Sequence, residues 1–192
     1  MRPHTLLILL STTCALAAQA PTWPIDEAPP TLRPAIARAD LMIAAMQDSV
    51  LRQLADPVAI ATPELAMGSC HLDSLLITQR FRREGTRAGR TSDRLRNPAT
   101  VPPAWAVQII KANAGRRAHD VHGFAVDLGD KVGVLRPIAQ GPACASCHGP
   151  ASRLSPAVKA ALAQRYPFDK AVGFAPGDIR GWFWLEMPRR ER

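Results

Sequence analysis

Apolar residues recur at close to helical spacing near the N-terminal end of the chain, interleaved with charged and polar positions. This spacing puts the apolar side chains on one face, as in an amphipathic helix. We predict a helix over residues 35–55 that ends at Pro57, because an internal proline removes a backbone hydrogen bond and crowds the preceding turn. A second helical stretch is predicted over residues 58–84, broken or kinked at Pro63 and Gly68.

The pattern changes in the second half of the chain, where β-branched and aromatic residues form short runs. Two such runs, 119–128 and 131–139, flank Gly129 and Asp130, and this arrangement predicts a β-hairpin. A third run, 178–187, predicts a final strand. Helical and strand patterns without an internal repeat or a low-complexity linker predict one α+β unit.

The segments between these elements are predicted as loops and short helices. Residues 21–34 are rich in proline and predict an extended lead-in, and residues 85–105 predict a long loop. A short helix is expected within residues 102–115. Ser155 and Pro156 form a good N-cap and first-turn pair, so a further helix should start there.

Composition is that of a folded protein and not of a disordered chain. Apolar residues make up 47% of the 192 positions, which is enough for a packed core. The 18 prolines are too many for an all-helical bundle. The composition therefore agrees with the α+β interpretation.

The first twenty residues have the layout of a secretory signal. A basic start at Arg2 precedes an apolar run from Leu6 to Leu10 and then small residues up to Ala20. The run is too short, and too interrupted by serine and threonine, to span a bilayer. We therefore expect residues 1–20 to be a cleaved signal peptide, and the mature protein to be exported, soluble and periplasmic, with no membrane span.

Cleavage there would leave three cysteines, Cys70, Cys144 and Cys147. An odd number is informative in an oxidising compartment, since a framework of disulfides alone would leave one thiol over. Cys144 and Cys147 form the pattern C-x-x-C-H with His148. Two cysteines at this spacing match the two vinyl groups of haem, and the adjacent histidine can bind the iron. The sequence predicts one covalent haem c held by these three residues.

Two other interpretations of the same motif are weaker. A structural zinc site needs further ligands at suitable spacing, and the chain offers only isolated candidates, Cys70, His71, His119 and His122. A thioredoxin-like redox pair would follow a strand and start a helix. The proline- and glycine-rich flanks and the adjacent histidine fit haem better, so a zinc-binding structural protein is kept as a remote alternative.

Three separated motifs resemble a known family. They are "GRTSDRLRNPATVPPAW" (89–105), "CASCHG" (144–149) and "YPFDKAVGFAPGDIRGWFWLEM" (166–187). In this order they resemble the haem-c-binding PAS-like family, a bacterial domain of unknown function that occurs as periplasmic proteins and as sensor-kinase input domains. The resemblance covers roughly residues 35–187 and leaves 188–192 as a basic tail. It implies a PAS-like antiparallel sheet, N-terminal helices and one covalent haem c.

The resemblance also implies a ligand for the second face of the iron. The family has an upstream cysteine on a helical segment, and Cys70 in "AMGSCHLDS" matches it, which implies His/Cys ligation. His71 stands where the family usually has a small residue, and is the alternative ligand. Cys70 is also the thiol left over by the haem motif.

From the residues alone, other distal ligands stay open. His119 and His122 are lone histidines, which are more often structural or exposed than ligands. Met42 and Met46 lie on the apolar stripe of the predicted helix and are expected in the core. Met187, near the C-terminal end, is a candidate of the kind found in electron-transfer cytochromes.

Seven arginines lie between residues 80 and 96, and the formal net charge is +8. Export makes nucleic acid an unlikely partner, so the first part of this run, Arg80–Arg87, is interpreted as a solvated basic loop. Haem carries two propionates, and the planar guanidinium pairs well with carboxylates. The residues predicted to hold the propionates are Arg90, Arg94, Arg96, Asn97 and Arg180.

These features predict a function in redox chemistry or sensing without turnover. With both axial positions filled, the haem should be low-spin and six-coordinate, and the protein is not expected to be an enzyme. We expect a redox or ligand sensor or an electron-transfer module, for which the basic surface would steer an acidic partner protein. The alternative is a soluble electron carrier with His/Met or His/His ligation.

Overall fold

The computed structural model describes residues 20–60 and 85–190, and of residues 53–60 it describes the backbone. The strands are β1 (Thr22–Pro24), β2 (Arg87–Thr91), β3 (Phe124–Asp127), β4 (Lys131–Ala139) and β5 (Ile179–Pro188). They form one antiparallel sheet in the order β1-β3-β4-β5-β2. The described helices are α1 (Arg33–Ile60), α2 (Val107–Ala112), α3 (Ala145–His148) and α4 (Pro156–Arg165). The predicted α+β class and antiparallel sheet are confirmed.

The predicted hairpin and final strand form the centre of this sheet. Gly129 has a φ of 84° in the turn between β3 and β4, a left-handed conformation that glycine adopts without strain. Its amide donates to Oδ1 of Asp127 at 2.9 Å. Strand β5 pairs with β4 along its length and with β2 on its other side. Both sequence predictions are therefore confirmed.

Helix α1 covers one face of the sheet with its apolar stripe. Its buried side chains are Ala35, Ile36, Ala39, Ile43, Met46 and Val50, and they pack on Ala88, Ala125, Val132, Val134, Phe183, Leu185 and Met187. Met42 packs against the same cluster, so both methionines of the stripe are core residues as predicted. Met187 lies in this cluster too.

Aromatic residues fill the opposite face. Trp182 and Trp184 of β5 pack with Ile110 of α2 and with Trp105. Glu186 is only 7% exposed among them. Its carboxylate accepts from Nη1 of Arg87 and from Nε1 of Trp105, each at 3.1 Å, so the buried charge is paired.

Helix α1 does not end where the sequence predicts. It starts at Arg33 and continues through Pro57 to Ile60, whereas the prediction placed its limits at 35 and 55. The fixed φ of proline is compatible with helical backbone, so the ring costs one hydrogen bond and crowds one turn without forcing a break. Residues 58–60 of the predicted second helix belong to α1, and the rest of that prediction, 61–84, lies outside the described residues. Among the described helices none is long and apolar enough to cross a membrane.

Two predicted loops contain strands. The lead-in 21–34 supplies β1 and the beginning of α1, and the loop 85–105 supplies β2. Both are edge strands, where a short length, proline and arginine are tolerated because one side of the strand has no partner in the sheet. Neither has the apolar alternation on which strand prediction depends.

We expect Gly89→Ala to destabilise the protein by about 1–3 kcal/mol. Gly89 pairs with Trp184 across β2 and β5, and an added Cβ would lie 2.4 Å from Cε2 of that buried indole. Urea unfolding followed by circular dichroism measures the change. Gly141→Ala is the matched control, because Gly141 has a φ of −88° and an added Cβ would meet nothing within 4 Å. Equal loss in both variants would contradict the packing explanation.

Candidate functional site

The C-x-x-C-H motif folds as two consecutive short helical turns. A 3-10 turn, Pro142–Cys144, leads directly into α3, which ends at His148. The next residue, Gly149, donates its amide to the carbonyl oxygen of Ala145 at 3.0 Å. An added Cβ at Gly149 would lie 2.5 Å from that oxygen, so the tight exit from the turn requires glycine.

Cys144 and Cys147 are partly exposed thiols. They lie on two consecutive short turns, and His148 comes directly after the second cysteine. Cys147 also packs against the small apolar cluster formed by α4 and the segment before it, Leu154, Val158, Leu162 and Tyr166. The motif is therefore attached to a helix as well as to the sheet. Ser155 caps α4 as predicted, since its Oγ accepts from the amide of Val158 at 3.1 Å.

The ring of His148 has a fixed orientation. Its Nδ1 lies 2.7 Å from the carbonyl oxygen of Ala171. A carbonyl only accepts, so Nδ1 carries the hydrogen and Nε2 keeps its lone pair. The ring of Phe174 meets the imidazole edge-on, with 6.5 Å between the ring centroids. This is the tautomer and support that a histidine ligand needs.

The surroundings of His148 keep the imidazole neutral. Burial lowers its pKa well below the ordinary value, and the positive charges of Arg180, Arg96 and Arg90 lower it further. The hydrogen bond to Ala171 acts in the opposite direction but does not compensate. A neutral imidazole is the form that binds a metal.

A segment that precedes β5, residues 169–174, holds the motif from the side. The amide of Gly173 donates to the carbonyl of Gly149 at 2.8 Å, and the amide of Phe174 donates to the carbonyl of His148 at 3.1 Å. Together with the Ala171 carbonyl, these bonds form a backbone clamp, by which we mean residues 169–174. The clamp lies within the third motif, but none of its residues was a predicted site residue, because no periodicity or composition marks a backbone acceptor.

Two of the predicted propionate ligands, Arg94 and Asn97, have protein partners in the structure. Arg94 donates from Nη1 to the carbonyl of Val172 at 3.0 Å, and its guanidinium lies 3.6 Å from the ring centroid of Phe174. Asn97 caps a 3-10 turn by accepting from the amide of Ala99 at 2.9 Å.

Arg96 pairs with Asp169, and its guanidinium also donates to two backbone carbonyls beside His148. The Nε of Arg180 is buried and has no hydrogen-bond partner among the described residues. Contact of any of these predicted residues with a propionate stays a prediction.

The structure describes only some of the candidate ligands for the second face of the iron. Cys70 and His71 lie outside the described residues, so the predicted His/Cys pair stays a prediction. His119 and His122 are exposed, and they contact Asp120 and Asp26 respectively. In the parts of the chain that the structure describes, no three His, Cys, Asp or Glu side chains gather as a metal site would require.

Fold and site together define a class: an α+β protein whose five-stranded antiparallel sheet carries a clamped C-x-x-C-H turn at one end. The chain belongs to the Tll0287-like family, whose model matches residues 30–188. Its fold is similar to the crystal structure of the cyanobacterial heme-protein Tll0287. The TM-score is 0.57, with 20% identity over 86% of this chain and 99% of that one. No curated protein matches in sequence.

The family match confirms the resemblance that the three sequence motifs indicate. At 20% identity the solved structure shows the fold alone. The PAS-like topology stays a prediction.

We expect the stability of protein made without any group attached to Cys144 and Cys147 to fall as pH drops below about 6.5, the ordinary pKa of histidine. The unfolded chain then protonates His148 while the folded protein, with its lowered pKa, does not, so protonation favours unfolding. The contribution is at most about 1.4 kcal/mol per pH unit. Urea unfolding at a series of pH values below about 6.5 gives the slope of the unfolding free energy against pH. The slope should be smaller for His148→Gln than for the wild-type protein, and equal slopes would contradict the prediction.

Proposed function

We propose that this chain is a haem c protein with one haem, attached through Cys144 and Cys147 and ligated on one face by His148. The observation that carries the proposal is the His148 ring, whose Nδ1 donates to Ala171 and whose Nε2 is left for a metal. The family supports it, because its solved member is described as a heme-protein. The motif supports the covalent form.

The donor set fits haem on further grounds. Two thiols and an imidazole on two consecutive short helical turns match a macrocycle with two vinyl groups and an iron. The buried Nε of Arg180 has no acceptor within the described protein, and an unsatisfied buried donor is costly. A propionate would supply that acceptor, and the positive charge of Arg180 already acts on the His148 ring. The zinc alternative has no matching cluster among the described residues.

When bound, haem supplies a one-electron couple whose potential follows from its axial ligands. The protein fixes the proximal imidazole through the backbone clamp and keeps it neutral through burial. We further propose Cys70 as the distal ligand, with His71 as the alternative, on the strength of the family position and of the thiol left over. A thiolate stabilises ferric iron, so the potential should lie below that of a His/Met haem.

The proposed role is that of a redox or ligand sensor or an electron-transfer module, and not of an enzyme. A haem with two protein ligands has no open position for turnover unless one ligand leaves. Export through the signal at residues 1–20 would place the protein in the periplasm, where covalent haem attachment takes place. The formal charge of +8 favours an acidic partner.

Expression with a periplasmic haem c maturation system should yield protein heavier by one haem, resistant to acid extraction. Cys144→Ser and Cys147→Ser should each remove one thioether and lower the yield, and the double variant should lose covalent haem because no thiol is left to add to a vinyl group. Intact-mass spectrometry with a reduced-minus-oxidised absorption spectrum provides the measurement. Ser146→Ala, an exposed position between the cysteines, is the matched control and should load normally. Wild-type protein without covalent haem would overturn the proposal.

Cys70→Ala should remove the low-spin thiolate signature from the electron paramagnetic resonance spectrum of the ferric protein and raise the reduction potential. His71→Ala is the matched control and should keep both. The reverse pattern would assign the distal face to His71, and an unchanged spectrum in both variants would exclude this pair. Absorption spectra of the oxidised and reduced protein separate the two roles: a carrier keeps its ligands on reduction, whereas a sensor exchanges one.

A further inference from the structure

The carbonyl oxygen of Ala171 receives two donors. Nδ1 of His148 lies 2.7 Å away and Nη2 of Arg96 lies 3.3 Å away. A carbonyl oxygen has two lone pairs and can accept both hydrogen bonds. The second donor is a cation, so it withdraws electron density from the oxygen to which the imidazole donates. Arg96 therefore contacts the atom on which the orientation of His148 depends.

The same guanidinium also holds the motif itself. Nη2 of Arg96 lies 2.6 Å from the carbonyl oxygen of Cys147, the residue directly before His148. One nitrogen thus bridges the helix that carries the imidazole and the clamp that accepts its hydrogen bond. Because both oxygens belong to the backbone, the bridge fixes the distance between two chain segments.

Asp169 keeps the bridge in place. Its Oδ2 accepts from Nε of Arg96 at 3.2 Å and lies 3.1 Å from Nη2. Its Oδ1 accepts from the amide of Ala171 at 2.8 Å, which fixes the backbone beside the shared carbonyl. The two side chains are 14% and 9% exposed, so solvent does not compete for these bonds.

We propose that Arg96 and Asp169 are positioning residues that set the geometry and strength of the His148 Nδ1 hydrogen bond, and through it the reduction potential of the iron. The potential part rests on the proposed haem function. The hydrogen bond of a ligating histidine tunes its basicity, and residues behind it matter almost as much as the ligand. In this arrangement Arg96 holds the imidazole and its acceptor together.

The test uses haem-loaded protein and the double variant Arg96→Gln/Asp169→Asn. Each single substitution changes the charge near the iron, whereas the double variant removes one positive and one negative charge and leaves their sum unchanged. A purely electrostatic effect would therefore largely cancel in the double variant, and a positioning effect would persist. The matched control is Arg136→Gln/Asp40→Asn, a second Arg–Asp pair with two nitrogen–oxygen contacts, which joins β4 to α1.

The first readout is exchange of the His148 Nδ1 proton with deuterated water in the ferrous protein, followed by nuclear magnetic resonance. We expect exchange to speed up by about tenfold in the double variant, equivalent to about 1.4 kcal/mol less protection. The second readout is the reduction potential, which should rise because an imidazole with a looser Nδ1 bond donates less to the iron. The control should change neither.

The proposal would be overturned if the double variant kept the wild-type rate of Nδ1 proton exchange and the wild-type reduction potential. It would also be overturned if the single variants shifted the potential in opposite directions and the shifts cancelled in the double variant. Arg96→Lys keeps the charge but lacks the planar fork that reaches both carbonyls, and should also speed exchange. It decides the question if the double variant does not fold: wild-type behaviour in Arg96→Lys contradicts the positioning role. Absence of covalent haem from the wild-type protein contradicts the proposed function instead.

Discussion

The hydrogen bond from His148 to the carbonyl of Ala171 is the contact on which the rest of the site depends. It determines which nitrogen of the ring carries the hydrogen and which is left for a metal. Its acceptor is a backbone atom, so no single substitution at Ala171 removes it. Other contacts must therefore hold the backbone of the clamp. They are two hydrogen bonds from clamp amides to carbonyl oxygens of the motif and of Gly149, and the contacts of the Arg96–Asp169 pair. The geometry at one imidazole thus requires residues from three separate parts of the chain.

The sheet is the platform for this arrangement. Strand β5 lies between β4 and β2 and is buried on both faces, by α1 on one side and by the tryptophan cluster on the other. The motif follows β4 and the clamp precedes β5, each across a short connection. Because β4 and β5 pair along their length, their connected ends are brought together at one end of the sheet. Strand pairing therefore positions the two backbone segments that the site joins.

Much of this molecule follows from its sequence, for identifiable physical reasons. The hairpin around Gly129, the final strand and the helix capped by Ser155 each carry strong local signals, and each forms as predicted. The edge strands β1 and β2 carry no such signal and were predicted as loops, because a strand that pairs on one side needs little apolar surface. The motif names Cys144, Cys147 and His148, since the proposed attachment to haem would fix their spacing. Asp169 and the Ala171 carbonyl could not be predicted, because Arg96 and Asp169 are joined only by the fold.

The order of the strands along the chain has a consequence for how the protein is made. Within the described residues, strand β2 (87–91) lies at an edge of the sheet and pairs with β5, which follows the other described strands in chain order. The sheet therefore cannot close until the C-terminal residues are available, and the backbone clamp also comes after the motif in chain order. In a chain that is exported N-terminus first, the thiols of Cys144 and Cys147 reach the far side of the membrane before the segments that later enclose them. If the chain is exported and carries haem c as proposed, an attachment enzyme would meet Cys144 and Cys147 before β5 and the clamp have folded over them.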